Sequence, residues 1–136
     1  MARPAPERFA FDFEPVYRPA LAAMGITPSR SWVTLDDEAL AARFGPWNLR
    51  TPVSNIRDVC VTGPYWAVKA IGPRMSWSDH GITFGTTAKG GACVLFHQPV
   101  KGMLIYAMVH HPGLTVTVHD PDAFAAAVRR RIERPA

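Results

Sequence analysis

The histidines and cysteines of this chain are the residues whose types first suggest a metal site or a catalytic site. Zinc sites in proteins use short ligand spacings, such as two cysteines two positions apart or two histidines three to five apart. Neither spacing occurs here, and neighbouring histidines on a strand would point to opposite faces of a sheet. We therefore predict no metal site and no cofactor. The five histidines are His80, His97, His110, His111 and His119.

Cys60 and Cys93 are the only cysteines, too few for a disulfide framework. Both have apolar neighbours, which predicts that they are small buried hydrophobic residues. Cys93 and His97 could form a nucleophile and base only if their side chains met, and on one strand they would lie about 13 Å apart. The chain has no Gly-x-Ser-x-Gly motif and no phosphate-binding loop. The sequence thus shows no catalytic constellation, which favours a non-catalytic role and leaves an enzyme as the alternative.

A group of aromatic and basic residues in the middle of the chain is the first candidate binding surface. Large aromatic side chains beside cations are enriched at protein interfaces, although they also occur in the core of any small β domain. Both interpretations stay open. The candidate residues are Tyr65, Trp66, Lys69, Arg74 and Trp77.

The second candidate is the uncharged segment Met103–Val109, which contains Leu104, Ile105 and Tyr106. Its apolar residues do not alternate with polar ones, as they would on a half-exposed strand. The segment is either buried on both faces or a surface for a protein partner or for self-association, since flat apolar edges pair with other chains unless they are covered.

The formal net charge of +4 is distributed unevenly. Residues 1–60 carry seven arginines and seven acids, whereas residues 61–119 carry four basic residues and one acid. No run of basic residues resembles a nucleic-acid-binding arm, so we expect no nucleic-acid partner. A solvated, mildly basic surface is one interpretation of this distribution, and a weak anionic partner of the middle third is the other. No apolar run is long enough to span a membrane and no signal peptide is apparent, so we expect a cytoplasmic protein.

Alternating apolar residues predict about seven short strands. The strand over Ser31–Leu35 and the strand over Ala39–Phe44 are expected to form a hairpin. A second hairpin is expected around Asp79-His80-Gly81, and a third around Ala88–Gly91, whose returning strand is Ala92–His97. The clearest half-buried strand is Leu114–His119. The other predicted strands lie near residues 9–13, 47–50 and 53–61.

One amphipathic helix is predicted at the C-terminal end. Asp120 is a suitable N-cap and Pro121 suits the first helical position. Phe124, Val128 and Ile132 recur at helical spacing and form an apolar stripe. The stripe indicates that the helix packs on a sheet.

The segment LTVTVHDPDAFAAAVRRRIE resembles the last strand and capping helix of bacterial pleckstrin-homology-like domains, and WVTLDDEALAARFG looks like their opening hairpin. The stretch GPRMSWSDHGITFGTTAKGGACVLF is similar to an uncharacterised actinobacterial protein group. The resemblance implies a small barrel of about seven antiparallel strands in two sheets, capped by the helix. The domain would span residues 8–136, after a disordered leader over residues 1–7. Inositol-lipid-binding members carry basic residues in the first hairpin loop, whereas Asp36-Asp37-Glu38 occupies it here, so we do not expect that ligand.

These observations favour a non-catalytic binding or assembly module with a pleckstrin-homology-like fold. The alternative is a small-molecule carrier or enzyme with an apolar cavity, similar to the helix-grip family. The predicted helix of about 14 residues would be roughly 21 Å long, which is short for the gripping helix of that family. A cavity with converging polar groups would favour the alternative.

Overall fold

The computed structural model describes residues 6–64, 71–75, 81–101 and 110–133. Within these ranges the chain forms nine strands and two α-helices, together with short 3₁₀ turns. In chain order, their bounds are β1 Glu7–Ala10, α1 Arg18–Ala23, β2 Ser31–Leu35, β3 Ala39–Phe44, β4 Trp47–Pro52, β5 Ile56–Thr62, β6 Gly72–Met75, β7 Ile82–Gly85, β8 Gly91–Lys101, β9 His110–Val116 and α2 Pro121–Ile132.

The first sheet contains β1 to β4 in sequence order, and every neighbouring pair is antiparallel. The predicted hairpin of β2 and β3 is confirmed, with Leu35 opposite Leu40. Asp36 closes its turn, because the Oδ1 atom accepts hydrogen bonds from the backbone N–H groups of Glu38 and Ala39, each at 2.8 Å. This acidic turn, predicted as part of the opening hairpin, therefore has a structural role.

The second sheet has the strand order β5-β8-β9-β7-β6. The predicted pairing of the strands on either side of Asp79-His80-Gly81 is confirmed, since β6 and β7 are antiparallel with Met75 opposite Ile82, while Asp79 and His80 lie outside the described residues. The predicted hairpin of β7 and β8 is wrong, because β9 lies between these two strands. The expectation that all strands are antiparallel is also wrong at one pair, since β7 and β9 run parallel. With nine strands in two separate sheets, neither barrel closure nor a count of about seven strands is confirmed.

The inner faces of the two sheets share one hydrophobic core. Phe44 of β3 stacks on Phe84 of β7, with ring centroids 4.9 Å apart and planes 7° apart. Phe11 tilts against Phe44 at 5.3 Å. The predicted inward positions Leu114 and Val116 of β9 are fully buried. The space between the sheets is therefore filled by side chains at these positions.

The helix α2 is confirmed at the predicted position, and Asp120 caps it by accepting a hydrogen bond from the N–H of Ala123 at 3.0 Å. Phe124 is fully buried and meets Phe9 of β1 edge to face, with centroids 5.0 Å apart. Arg129 donates to the carbonyl oxygen of Val59 at 3.0 Å, so its guanidinium covers part of the edge strand β5. Neither helix of the described residues has the length and apolar character needed to cross a membrane.

A short seam of hydrogen bonds joins the first sheet to the second. Beyond β1, the N–H of Asp12 donates to the carbonyl of Thr117 at 3.0 Å, and Phe11 forms a β-bridge with Val118. The buried hydroxyl of Thr86 donates to the carbonyl of Asp12 at 2.7 Å. The strand predicted near residues 9–13 therefore divides its pairing between the two sheets.

Candidate functional site

Most of the predicted binding residues lie outside the described residues, so the interpretations placed on them stay predictions. Arg74 lies in β6, at the register position opposite Thr83 of β7. The candidates outside the described ranges are Tyr65, Trp66, Lys69, Trp77, Leu104, Ile105 and Tyr106.

The histidines are spread over the described part of the fold. His97 and His119 are exposed, and the Nδ1 atom of His119 lies 3.9 Å from a carboxylate oxygen of Asp12. His110 and His111 occupy consecutive positions of β9, and His80 lies outside the described ranges. Among the residues that the structure describes, no group of three His, Cys, Asp or Glu side chains is placed to hold a metal ion.

The outer face of the first sheet concentrates positive charge. Strand alternation sends one set of side chains into the core and the other set to solvent. At the outward positions of the four strands, three residues are arginines and none is acidic. We call this surface the arginine face; it comprises Arg8, Trp32, Thr34, Arg43, Asn48 and Arg50.

The register fixes how the three arginines are arranged. Arg8 pairs with Thr34, Thr34 with Ala41, and Ala41 with Arg50, so one row crosses the whole sheet. Since neighbouring strands are about 4.8 Å apart, the Cα atoms of Arg8 and Arg50 are separated by roughly 14 Å. Arg43 belongs to the adjacent row, opposite Trp32 and Asn48. The three cations therefore form a broad triangle.

Trp32 lies beside this triangle, in the row of Arg43, and contacts two of its cations. The guanidinium carbon of Arg8 lies 4.3 Å from the ring centroid, and that of Arg43 lies 5.1 Å from it. Such contacts hold a guanidinium over an aromatic ring while leaving its N–H edge open to other acceptors. The Nε atom of Arg43 also donates to the carbonyl of Gly45 at 3.4 Å. The two side chains are therefore partly positioned before any partner binds.

The acids of the same region are directed elsewhere. Glu7 precedes Arg8 but pairs with Arg131 of α2 at 2.8 Å, on the core side of β1. Asp37 approaches the same guanidinium at 3.6 Å. The ion pairs observed within the described ranges thus belong to α2 and to the seam, and the arginine face keeps three positive charges exposed to a partner.

A cavity of about 310 Å³ opens on the solvent side of the second sheet. Its wall combines outward residues of β7, β8 and β9 with Arg57 of β5 and with the core residues Ile82 and Phe96. It combines one cation, two hydroxyl groups and apolar carbon. The side chains that give the cavity this character include Arg57, Thr83, Cys93, Leu95, Pro112 and Thr115.

The two cysteines line the same face of the second sheet. Cys60 of β5 is opposite Cys93 of β8 in the antiparallel register. Cys60 is exposed and Cys93 is half-buried. The prediction that both are buried hydrophobic residues is wrong, because the alternation directs Val59 and Val94 into the core and their cysteine neighbours outward.

The composition of residues 1–60 gave no indication of the arginine face, because seven arginines and seven acids cancel in that segment. The alternation Arg8-Phe9 and Leu49-Arg50 is a usable local signal. The pairing that unites β1 with β4 across two other strands is a tertiary property, and a scan of charge along the chain does not show it.

Comparisons of the chain with protein-family models, with curated proteins and with solved structures returned no match. Because function depends on the site and not on the fold alone, the geometry of the site is the evidence for a function.

Proposed function

We propose that this protein is a non-catalytic binding module with a pleckstrin-homology-like arrangement, and that its arginine face binds an acidic segment of a partner protein. The observation that carries the proposal is the triangle of Arg8, Arg43 and Arg50, two of which contact Trp32, with no acid at any outward position of the four strands. The pleckstrin-homology-like part rests on the four-stranded first sheet and the helix α2 packed against β5 and Phe9.

The chemistry of the face favours carboxylates. A guanidinium group binds a carboxylate through two parallel N–H···O bonds, and it loses less hydration energy on burial than an ammonium group does. Arginine and tryptophan are also enriched among residues that dominate binding energy at protein interfaces. A partner segment with several Asp or Glu side chains would meet Arg8 and Arg50 at the two ends of one row. These cations are about 14 Å apart, because three strand spacings of roughly 4.8 Å separate them.

The same geometry disfavours nucleic acid. Single-stranded nucleic acid binds proteins largely by stacking its bases on exposed aromatic rings. The arginine face has one such ring, and the guanidinium groups of Arg8 and Arg43 already lie over it. Base stacking on Trp32 would therefore have to displace two favourable cation–π contacts.

A fluorescence-anisotropy titration tests the proposal. The probe is a fluorescein-labelled decaglutamate peptide in low salt, and the protein is the full chain. We expect saturable binding that weakens at least about tenfold in the triple variant R8A/R43A/R50A, a loss equal to about 1.4 kcal/mol. The matched control R18A/K89A/R130A removes the same charge from exposed residues outside both candidate sites and should keep most of the affinity.

Two results would contradict the proposal. Equal weakening by both triple variants would show that only net charge matters, because non-specific attraction follows total charge. Tighter binding of a fluorescein-labelled decauridylate than of the peptide, lost in R8A/R43A/R50A, would make the face a nucleic-acid site instead. Circular dichroism and thermal unfolding of each variant establish that the fold is retained.

The cavity on the second sheet favours a second candidate, a carrier of small molecules. Its volume of about 310 Å³ lies at the lower end of the range for ligand pockets, and Arg57 and the two threonines supply polar groups. For a carrier, we expect the folded chain to bind an anionic apolar probe, 1-anilinonaphthalene-8-sulfonate. The variant Leu95→Trp should lose this binding, because the larger side chain fills the cavity. Probe binding unaffected by that substitution would remove the support for a carrier.

A further inference from the structure

Cys60 and Cys93 occupy directly opposite positions on two neighbouring antiparallel strands of the second sheet. Residues opposite each other in such a pair point to the same face and have Cα atoms about 4.5–5.5 Å apart. Disulfides in proteins span Cα distances of about 4.4–6.8 Å. The backbone of β5 and β8 therefore already meets the main geometric requirement for a disulfide.

The remaining requirement is a small approach of the two side chains. Opposite Cβ atoms on a sheet are about 4.5–5.5 Å apart, whereas a disulfide holds them at about 3.5–4.5 Å. Within the part of the chain that the structure describes, β5 is an edge strand whose one strand partner is β8, so it can shift toward β8. A bulge between Ile56 and Asp58 already bends β5 near this point.

Both thiols can be reached by a small oxidant. Cys60 is exposed, and Cys93 forms part of the wall of the solvent-facing cavity. Arg57 is another residue that lines this cavity. Exposed cross-links with imperfect geometry are the ones that proteins reduce and re-form most easily.

We propose that Cys60 and Cys93 form a redox modification site, which a peroxide converts to a reversible disulfide between β5 and β8. In the first step, one thiolate attacks hydrogen peroxide, forming a sulfenic acid and releasing hydroxide. In the second, the other thiolate attacks that sulfur, the S–S bond forms, and hydroxide leaves. The sum is two thiols and one hydrogen peroxide giving one disulfide and two waters. The site is independent of the arginine face, which lies on the other sheet.

Intact-mass spectrometry of the full chain after treatment with hydrogen peroxide tests the proposal. Because the chain has two cysteines, the expected product is a monomer that has lost two hydrogens and regains them with dithiothreitol. Trypsin without reductant should then release one cross-linked species that joins residues 58–69 to residues 90–101. The oxidised chain should also unfold several degrees higher, since the bond constrains the unfolded state.

The variants C60S and C93S are matched controls that keep the size of each side chain. Each should gain oxygen on its remaining cysteine, or form a disulfide-linked dimer, and should never lose two hydrogens as a monomer. The proposal is overturned if the folded wild-type chain gives dimers or separately oxidised cysteines, or if the intramolecular cross-link appears only in guanidinium chloride. Thermal unfolding of both variants shows whether they keep the fold.

Discussion

At the scale of a single residue, Glu14 connects the chain beyond β1 to the connection between β7 and β8. Its carboxylate accepts a hydrogen bond from the Thr87 hydroxyl and another, at 2.8 Å, from the backbone N–H of Ala88. The Thr87 hydrogen bond, followed by that of Ala88, lowers the pKa of Glu14 below its ordinary value of 4.5, and the positive charge of Lys89 adds to this shift. The charged form of Glu14 is therefore favoured by the fold.

This lowered pKa predicts how stability depends on pH. A carboxyl group whose pKa is lower in the folded state stabilises the protein fully above its unfolded pKa and loses that contribution as the pH falls through the folded value. We expect Glu14→Gln to lower the free energy of unfolding by about 1 kcal/mol at neutral pH, the size of a typical hydrogen-bond loss. Urea unfolding at several pH values measures the difference, which should shrink below pH 4.5.

The control for this prediction is Glu133→Gln, since Glu133 is an exposed residue at the end of α2. The prediction fails if the difference in the free energy of unfolding between wild type and Glu14→Gln stays constant as the pH is lowered below 4.5. That result would show that the turn does not stabilise the Glu14 carboxylate. The sequence places Glu14 next to a proline and gives no sign of this role, because its partners lie more than seventy positions away.

At the scale of the element, α2 is the part of the fold that local patterns predict best. The Asp120 cap, Pro121 and the spacing of Phe124, Val128 and Ile132 are all local signals, and the structure confirms the cap and the burial of Phe124 and Val128. The connection between β7 and β8 shows the opposite case. Gly90-Gly91 looks like a hairpin turn, but β9 pairs with both strands and separates them. Strand order depends on long-range competition between pairings, which short sequence windows do not contain.

The docking of α2 gives a stability prediction. Phe124 is fully buried and contacts Phe9 edge to face, so Phe124→Ala removes a large side chain from the core and leaves a cavity. We expect a loss of about 3–5 kcal/mol in the free energy of unfolding, measured by urea denaturation. Arg130→Ala, on the exposed side of the same helix, should change it by less than about 0.5 kcal/mol. A Phe124→Ala loss below about 1 kcal/mol would mean that the helix is not docked on the sheets.

At the scale of the whole molecule, charge is separated by face and not by segment. Residues 1–60 have no net charge, yet their strands turn three arginines to one surface and direct Glu7 and Asp37 toward Arg131 of α2. Alternation along each strand could have assigned Arg8, Arg43 and Arg50 to solvent-facing positions. Only the register of four strands shows that they share one face with Trp32, which is why the sequence alone does not single them out as binding residues.

The most direct test of the acid-binding function is a two-dimensional ¹H–¹⁵N NMR titration of the full chain with unlabelled decaglutamate. Trp32→Phe assigns the indole N–H of Trp32 among the four tryptophans. We expect the Trp32 indole and the amides of the outward positions on β1 to β4 to shift together and saturate, whereas the amides of α2 and β8 should not shift. Shifts that saturate on the second sheet, with the Trp32 indole unmoved, would contradict it.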